Sequence, residues 1–357
     1  MATFYLSAFA DEAGGGIKEQ IEALKAHGMT HLEPRGLDEG NISLYTEEQA
    51  IELKKILDEN NIEISAIGSH YGKIKITDDF EEHFENFKNC VKVAKILGTK
   101  RIRMFSFYFS ENEKYEDYKD EVFRRIELMC NYALDNGIYC CHENEKGIYG
   151  DNEERCFELL SHFKGKLKGV FDPANFIQCG VKILPAFDLL KEYIDYLHIK
   201  DCVYSDGSIR PAGLGDGEIV KLLKRFNEVK PGDTFLTLEP HLKVFDGLKD
   251  LEEEGGTADK LKDDFTYKTN REAFDVAANA LKECIKNAGL EEKVPMCGVP
   301  HHAVNIYIEK MVDKGYKIGI CDQLEDAKDA KGIVERGITG IISKGTIMNS
   351  DSLKENE

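Results

Sequence analysis

A closed (β/α)8 barrel with a small C-terminal α/β appendage is the architecture this sequence predicts. Two observations predict it: short apolar runs alternate with longer amphipathic segments eight times over about the first 290 residues, and four of the later runs place a charged or imidazole residue at or near their ends. Short strands separated by helices imply parallel pairing, because parallel neighbours need a crossover connection. Eight such units within ~250–290 residues suit a closed barrel. An open doubly wound sheet is the competing architecture. The first strand–helix turn, however, lacks a GxGxxG pattern, and Ala13-Gly14-Gly15-Gly16 reads as a flexible loop.

The elements follow in order. Thr3–Phe9 is the first strand, followed by a helix over Gly16–His27; Thr30–Glu33 is the second, followed by Thr46–Asn60. Ile62–Ile67 precedes the helix Asp79–Leu97, stopped by Gly98, and Arg101–Phe105 precedes Tyr115–Asn136, stopped by Gly137. The remaining strands are Ile138–Glu143, Leu167–Asp172, Ile194–Ile199 and Thr234–Glu239, with helices at Asn152–Phe163, Leu184–Glu192, Glu218–Val229 and Arg271–Asn287. Leu248–Thr269 is polar and charge-rich, an excursion between the eighth strand and its helix. After Gly289 come a Pro/Gly-punctuated entry, a helix over Ala303–Lys314, and strands at Tyr316–Cys321 and Ile338–Ser343. The expected organisation is a barrel over 1–288, a separate segment over 289–348 and a disordered end over 349–357.

Composition narrows the function classes. The net charge is −19, and residues 290–357 carry 9 Lys+Arg against 12 Asp+Glu, so neither part offers the basic face that a polyanion requires. Ten scattered cysteines without a CxxC pair fit small core hydrophobes in a reducing compartment. No basic leader precedes an apolar stretch, and no apolar run approaches membrane-spanning length. A cytoplasmic protein without membrane partners is expected, and a homo-oligomer is compatible with these features.

The chemistry sits at the strand ends. Glu143 closes the fifth strand, Asp172 the sixth and Glu239 the eighth, while His198 lies on the seventh. An ionised group at the end of a buried strand is costly unless a metal or substrate compensates it. A lone strand-end carboxylate is ordinarily a cap, and a lone strand histidine ordinarily a hydrogen-bonded core residue. Four on consecutive strands converge in a barrel on the C-terminal face, where active sites are built. Three carboxylates and an imidazole suit Mn2+ first, with Mg2+, Co2+ or Zn2+ as alternatives. Arg35 and Arg210 offer anion contacts, or surface salt bridges. Lys73 and His70 lie in the loop after the third strand, and His241 lies two residues beyond Glu239. Lys200 and Asp201 are candidates to support His198, and Cys140, Cys141 and Cys179 read as core.

With HENEKGIYGD (142–151), FDPANF (171–176), HIKD (198–201), PAGLGDG (211–217) and LEPHL (238–242) in view, the first 290 residues resemble the sugar phosphate isomerase/epimerase family, with its xylose-isomerase-like TIM barrel. The family resemblance implies that Glu143, Asp172, His198 and Glu239 bind a divalent metal. It also implies that Glu143 and Glu239 act as the acid/base pair on either face of a sugar or sugar phosphate, through an enediolate. Where the epimerases carry a substrate-binding histidine shortly after the sixth-strand aspartate, this chain has Asn175, which hydrogen-bonds but does not titrate. The same superfamily includes inosose-type dehydratases and endonuclease IV-type repair enzymes, so dehydration of a cyclic polyol and DNA cleavage are the alternatives. A nuclease of that kind needs further histidine ligands, for which no convincing set is present.

The segment from Gly289 through VPMCGVPHH (294–302), KGYKI (314–318) and CDQLED (321–326) resembles part of the N-terminal mismatch-recognition domain of the mismatch-repair protein MutS, over about 289–347. The mismatch-wedging Phe-x-Glu motif of that family lies upstream, where this chain has its last barrel helix, and no Walker A pattern occurs. A fragment of about 60 residues without its partner strands is marginal as an independent fold. Binding to nucleic acid is therefore not expected, and a MutS-like DNA contact is the alternative from another functional class.

Overall fold

Seven parallel strands form one curled sheet, and their order is set by how each strand is returned to the next. The computed structural model describes residues 2–38, 40–110, 113–244, 267–290, 304–314, 316–323 and 336–343. The chain forms two compact units, Met1–Glu291 and Glu292–Glu357.

In the first unit the strands are β1 (Ala2–Ala8), β2 (His31–Leu32), a short hairpin β3 (Gly36–Leu37) and β4 (Gly40–Asn41), then β5 (Glu63–Ile64), β6 (Ile67–Gly68), β7 (Arg101–Met104) and β8 (Tyr139–Glu143). β9 (Leu167–Phe171), β10 (Ile194–Ile199), a hairpin β11 (Asp201–Cys202) and β12 (Ile209–Arg210), and β13 (Gly232–Leu238) complete it. The sheet order is β1-β13-β10-β9-β8-β7-β6. Between β1 and β6 the wall is the chain around β2. Glu33 N–H donates to Ala8 O at 3.1 Å, and Gly68 N–H donates to Pro34 O at 2.9 Å. The eight-unit barrel is thereby closed, as its sequence predicts.

The helices between the strands are α1 (Ile17–Ala26), α2 (Glu47–Asn60), α3 (Phe80–Leu97), α4 (Tyr115–Asp135), α5 (Glu153–His162), α6 (Pro173–Gln178), α7 (Ile183–Leu190), α8 (Ile219–Val229) and α9 (Asn270–Ala288). Their starts are written in short polar side chains. Thr46 and Gln49 form a reciprocal capping box on α2, and Asp79, Asn152 and Thr269 accept backbone N–H bonds at the starts of α3, α5 and α9. Each such cap contributes about 1 kcal/mol. Gly98 ends α3 at φ 83° and Gly289 ends α9 at φ 72°, a backbone region where a Cβ is unwelcome. Among the described residues, no helix is long and apolar enough to cross a membrane.

Three local features differ from the sequence expectation. The third strand is two short pieces, β5 paired with β2 and β6 paired with β7. Between them the Ser65 carbonyl accepts from Thr99 Oγ1 at 2.9 Å. Asp172 does more than close a strand: its Oδ1 accepts from Asn175 N–H at 2.9 Å and caps α6, with Pro173 at the first helical position. Asp201 does not support His198. Its carboxylate accepts the backbone N–H groups of Gly213 (2.8 Å), Gly215 (3.1 Å) and Gly217 (2.8 Å), which explains why HIKD and PAGLGDG belong together.

In the second unit, α10 (Val304–Asp313) buries Ile308 and Val312, and β14 (Ile318–Gln323) pairs antiparallel with β15 (Arg336–Ile342). The expected excursion at 248–269 falls outside the described residues up to 266, as do the Pro/Gly entry before α10 and the expected disordered end over 349–357.

The packing of Asp201 against glycine makes a measurable prediction. A Cβ at Gly215 would lie 2.4 Å from Asp201 Oδ1 and 2.6 Å from Cys202 O, whereas one at Gly15 would meet nothing within 4 Å. Gly215→Ala is expected to lower unfolding free energy by about 1–3 kcal/mol in denaturant titrations, with Gly15→Ala close to the parent.

Candidate metal centre

Four consecutive strands of the barrel wall, β8, β9, β10 and β13, deliver Glu143, Asp172, His198 and Glu239 to one place. One ligand atom from each lies within 4.8 Å of the others, and all four side chains are buried. The strand termini are pinned from the side: Asn144 donates through Nδ2 to Asp172 O at 2.8 Å and accepts Asp172 N–H on Oδ1 at 2.9 Å. That reciprocal amide clamp fixes the β8 and β9 ends relative to each other.

Charge dominates the surroundings. Arg103 Nη1 donates to Glu143 Oε2 at 2.8 Å, and His198 Nδ1 lies 2.9 Å from Glu143 Oε1. Arg35 reaches three carboxylates: Glu239 Oε1 at 3.0 Å, Glu12 Oε1 at 3.2 Å, and both oxygens of Asp11 at 3.0 and 3.1 Å. Lys200 Nζ lies 3.1 Å from Asp172 Oδ2 and 3.1 Å from Glu239 Oε2. The Phe9 ring sits beside both guanidinium groups, 4.4 Å from Arg35 and 5.1 Å from Arg103. Around the four donors, the buried carboxylates Asp11, Glu12, Glu33, Glu143, Asp172 and Glu239 stand with the permanent cations Arg35, Arg103 and Lys200.

That excess of negative charge divides the proton affinities. Burial, partly offset by Lys200 and reinforced by Glu143 and Glu239, raises Asp172 to about 7. Burial likewise raises Glu12 to about 7. Burial pushes Glu143 upward too, but His198 and Arg103 outweigh it and bring the group down to about 2. His198 is held well above the usual imidazole range, because Glu143 and Glu33 outweigh the effect of burial. Glu239 lies well below the carboxylate range, with Lys200 and His241 outweighing burial.

These residues fit a divalent ion. Asp172 Oδ2 is buried and accepts no hydrogen bond; it has only the Lys200 ion pair, off the hydrogen-bonding direction. Hard oxygens plus one imidazole match the preferences of Mg2+, Mn2+ or Co2+.

Of the other sequence candidates, Asn175 and His241 stand beside the cluster. Asn175 Nδ2 donates to Asn144 O at 2.9 Å and to Glu143 Oε1 at 3.4 Å. His241, at φ 45°, places Nε2 3.3 Å from Glu239 Oε1. Arg35 is part of the cluster rather than of the surface. His70 Nδ1 is within 3.2 Å of Asn41 Nδ2 and Ser43 Oγ, with its ring stacked on Tyr71. Lys73 pairs with Glu145 at 3.1 Å over the Phe105 ring. Arg210 lies on the β11–β12 hairpin and donates to Ile209 O at 2.9 Å. Cys140 and Cys141 are buried and Cys179 is half-buried.

Sequence reasoning missed Glu33, Arg103 and Glu12, and it assigned Lys200 to His198 rather than to Asp172 and Glu239. The signal for Glu33 and Arg103 was present, since each is a charged residue in or just after an apolar strand, the argument that singled out Glu143.

The family model described as xylose isomerase-like TIM barrel matches residues 21–259, about two thirds of the chain. The chain belongs to that family. Among solved structures, the probable 3-DHS dehydratase AsbF of Bacillus anthracis is similar to this xylose isomerase-like barrel at TM-score 0.59 and 16% identity, over 78% of this chain and 99% of that one. D-psicose 3-epimerase with D-tagatose, from Clostridium cellulolyticum H10, is similar at 0.59 and 14%, over 80% and 99%. A xylose isomerase-like protein from Mycobacterium smegmatis, in complex with magnesium, is similar at 0.56 and 11%, over 80% and 97%. At these identities the likeness is one of fold.

Residues 266–351 match the model of MutS domain I. The mismatch repair protein MutS of Clostridium beijerinckii is 58% identical over 72 residues, 20% of this chain and 8% of that protein. The chain thus spans about a tenth of the length of the curated relatives it matches. The match starts earlier than about 289 and takes in α9.

Metal and pH act on the same groups, with a defined sign. Asp172 and Glu12 bind protons more tightly folded than unfolded, so stability without metal is lost as pH rises from about 4 to about 7. His198, also raised, contributes a loss in the same direction above 6.5. Thermal melts in EDTA are expected to fall across pH 5–7, and saturating Mn2+ is expected to flatten that slope. Lys200→Met takes the ion pair from Asp172 and leaves Glu239 with Arg35, so its melting temperature in EDTA should drop while the rise on adding Mn2+ grows beyond that of the parent.

Proposed function

We propose that the barrel is a divalent-metal-dependent isomerase or epimerase of a sugar or sugar phosphate, with Mn2+ as the preferred ion and Glu143 and Glu239 as its acid/base pair. The observation that carries this reading is the convergence of four buried donors from consecutive strands, in a region where carboxylates outnumber permanent cations. Membership in the xylose isomerase-like barrel family, and the likeness in fold to a 3-epimerase, a dehydratase and a magnesium complex, support it.

A bound divalent ion supplies Lewis acidity toward neighbouring substrate oxygens. The protein's own residues do the rest. Each glutamate has one oxygen tied by arginine, Glu143 Oε2 by Arg103 and Glu239 Oε1 by Arg35. The second oxygens, Glu143 Oε1 and Glu239 Oε2, lie 2.9 and 3.5 Å from His198 Nδ1. Both carboxylates are held ionised, the state in which a side chain accepts a substrate proton. Asn175, bonded to Glu143, holds the place beside the base with a group that donates a hydrogen bond and does not titrate.

The test is turnover in D2O on a panel of ketoses and sugar phosphates with Mn2+-loaded protein, read as solvent deuterium at the inverted or newly protonated carbon. Glu143→Gln and Glu239→Gln are each expected to lower the rate about 10²–10⁴-fold. Unchanged turnover together with unchanged metal content in both variants would remove the roles given to them. Loss of water in place of isotope exchange would identify a dehydratase instead.

We also propose that the C-terminal unit contributes no nucleic-acid binding, a reading supported by its acidic balance. Gel shifts with mismatched and abasic duplexes at physiological salt should show no complex, and a tight complex would reverse it.

A further inference from the structure

We infer that Glu33 is the positioning residue for His198, holding the ring so that Nδ1 rather than Nε2 is presented to the metal centre. The inference rests on the metal-centre reading above and adds a residue to it. Glu33 follows β2, is fully buried and reaches through the barrel interior to strands on the far side of β1. Its Oε1 accepts from Tyr196 Oη at 2.9 Å and lies 3.3 Å from His198 Nε2, and its Oε2 accepts from Thr237 Oγ1 at 2.8 Å. Glu33 thus occupies the Nε2 side of the ring, which leaves Nδ1 as the nitrogen that faces Glu143 Oε1 and Glu239 Oε2.

The ring is also held by edge contacts, with Phe9 at 5.1 Å and Tyr196 at 5.5 Å between centroids. Tyr196 and His198 alternate along β10 and so share one face, while Thr237 is the register partner of His198 on β13. A carboxylate that merely filled the core would be an expensive choice. A carboxylate that receives three hydrogens, one of them from a metal-ligand imidazole, both orients the ring and raises its basicity toward a metal. Removing such a partner characteristically lowers metal affinity 10–100-fold.

Co2+ is the probe, because its visible absorption reports its ligands. The full chain, Glu33→Gln and Thr237→Val are titrated with Co2+ by calorimetry and by absorption, with thermal melts in EDTA alongside. Glu33→Gln keeps the size of the side chain and removes its charge. It is expected to bind Co2+ about 10–100-fold more weakly with an altered visible band, while melting close to the parent. Thr237→Val removes the bond to Glu33 Oε2 without touching the His198 Nε2 bond, and is expected to weaken Co2+ binding by about 3- to 5-fold. Parent-like affinity and spectrum in both variants, with the parent binding Co2+, would overturn the role of Glu33 and leave the metal centre standing. Failure of the parent itself to bind any divalent ion would overturn the metal-centre reading and the inference together.

Discussion

The mouth of this barrel is organised by a surplus of buried negative charge. Asp11, Glu12, Glu33, Glu143, Asp172 and Glu239 are removed from water there with Arg35, Arg103 and Lys200 among them. Isolated ionised carboxylates in such a place are prohibitively costly, so nearly every polar neighbour is committed to them. Arg35 is spread over three partners, Arg103 is fixed on Glu143, and Lys200 is shared by Asp172 and Glu239. The proton affinities follow: where cations are close a carboxylate stays ionised, as at Glu143, and where burial wins it keeps a proton, as at Asp172. A divalent ion bound at such a site would replace those protons.

The opposite end of the barrel inverts this balance. There a single carboxylate, Asp195, is met by Arg101, Lys168 and Lys230, and the cations outweigh burial to depress its proton affinity. Arg101 and Arg103 are two residues apart on β7, yet one serves the cation-rich base and the other the anion-rich mouth. Such a division fits the (β/α)8 architecture, where the C-terminal face carries chemistry and the N-terminal face carries stability. The strand ends of one sheet thus hold two electrostatic environments of opposite sign.

How much of this was legible in the sequence depended on whether a residue acts locally or across the barrel. The alternation of strands and helices is a local signal, and so are the caps Thr46, Asp79, Asn152 and Thr269, so the element order was readable. The strand-end argument found Glu143, Asp172, His198 and Glu239 because each ends or lies on a well-marked apolar run. It passed over Glu33, whose run is short and is followed at once by Pro34 and Arg35, a pattern that reads as a loop. The tie between Asp201 and Gly213, Gly215 and Gly217 spans a hairpin, and the bridge from Lys200 to Glu239 spans two strands. Partnerships of that kind are fixed by register, which single-chain periodicity does not encode. Helix α9 shows the complementary limit. It buries Ala273, Phe274, Ala277, Ala278 and Leu281 as the barrel's last helix, yet it also lies inside the match to MutS domain I. An amphipathic helical pattern carries too little individuality to belong to one context alone.

The arginines give the mouth its geometry as well as its charge. Each catalytic-candidate glutamate has two oxygens, and a guanidinium takes one of each, so that Glu143 and Glu239 each keep one oxygen directed toward His198. Phe9 lies beside both guanidinium groups and against the edge of the His198 ring, so a single aromatic side chain from the end of β1 bears on three members of the cluster. A flexible pair of carboxylates around an ion would chelate it in several ways. Here rotation of either carboxylate breaks a charge-assisted bond in a buried setting, which costs more than in water. The consequence is a fixed separation between two ionised oxygens facing a common centre.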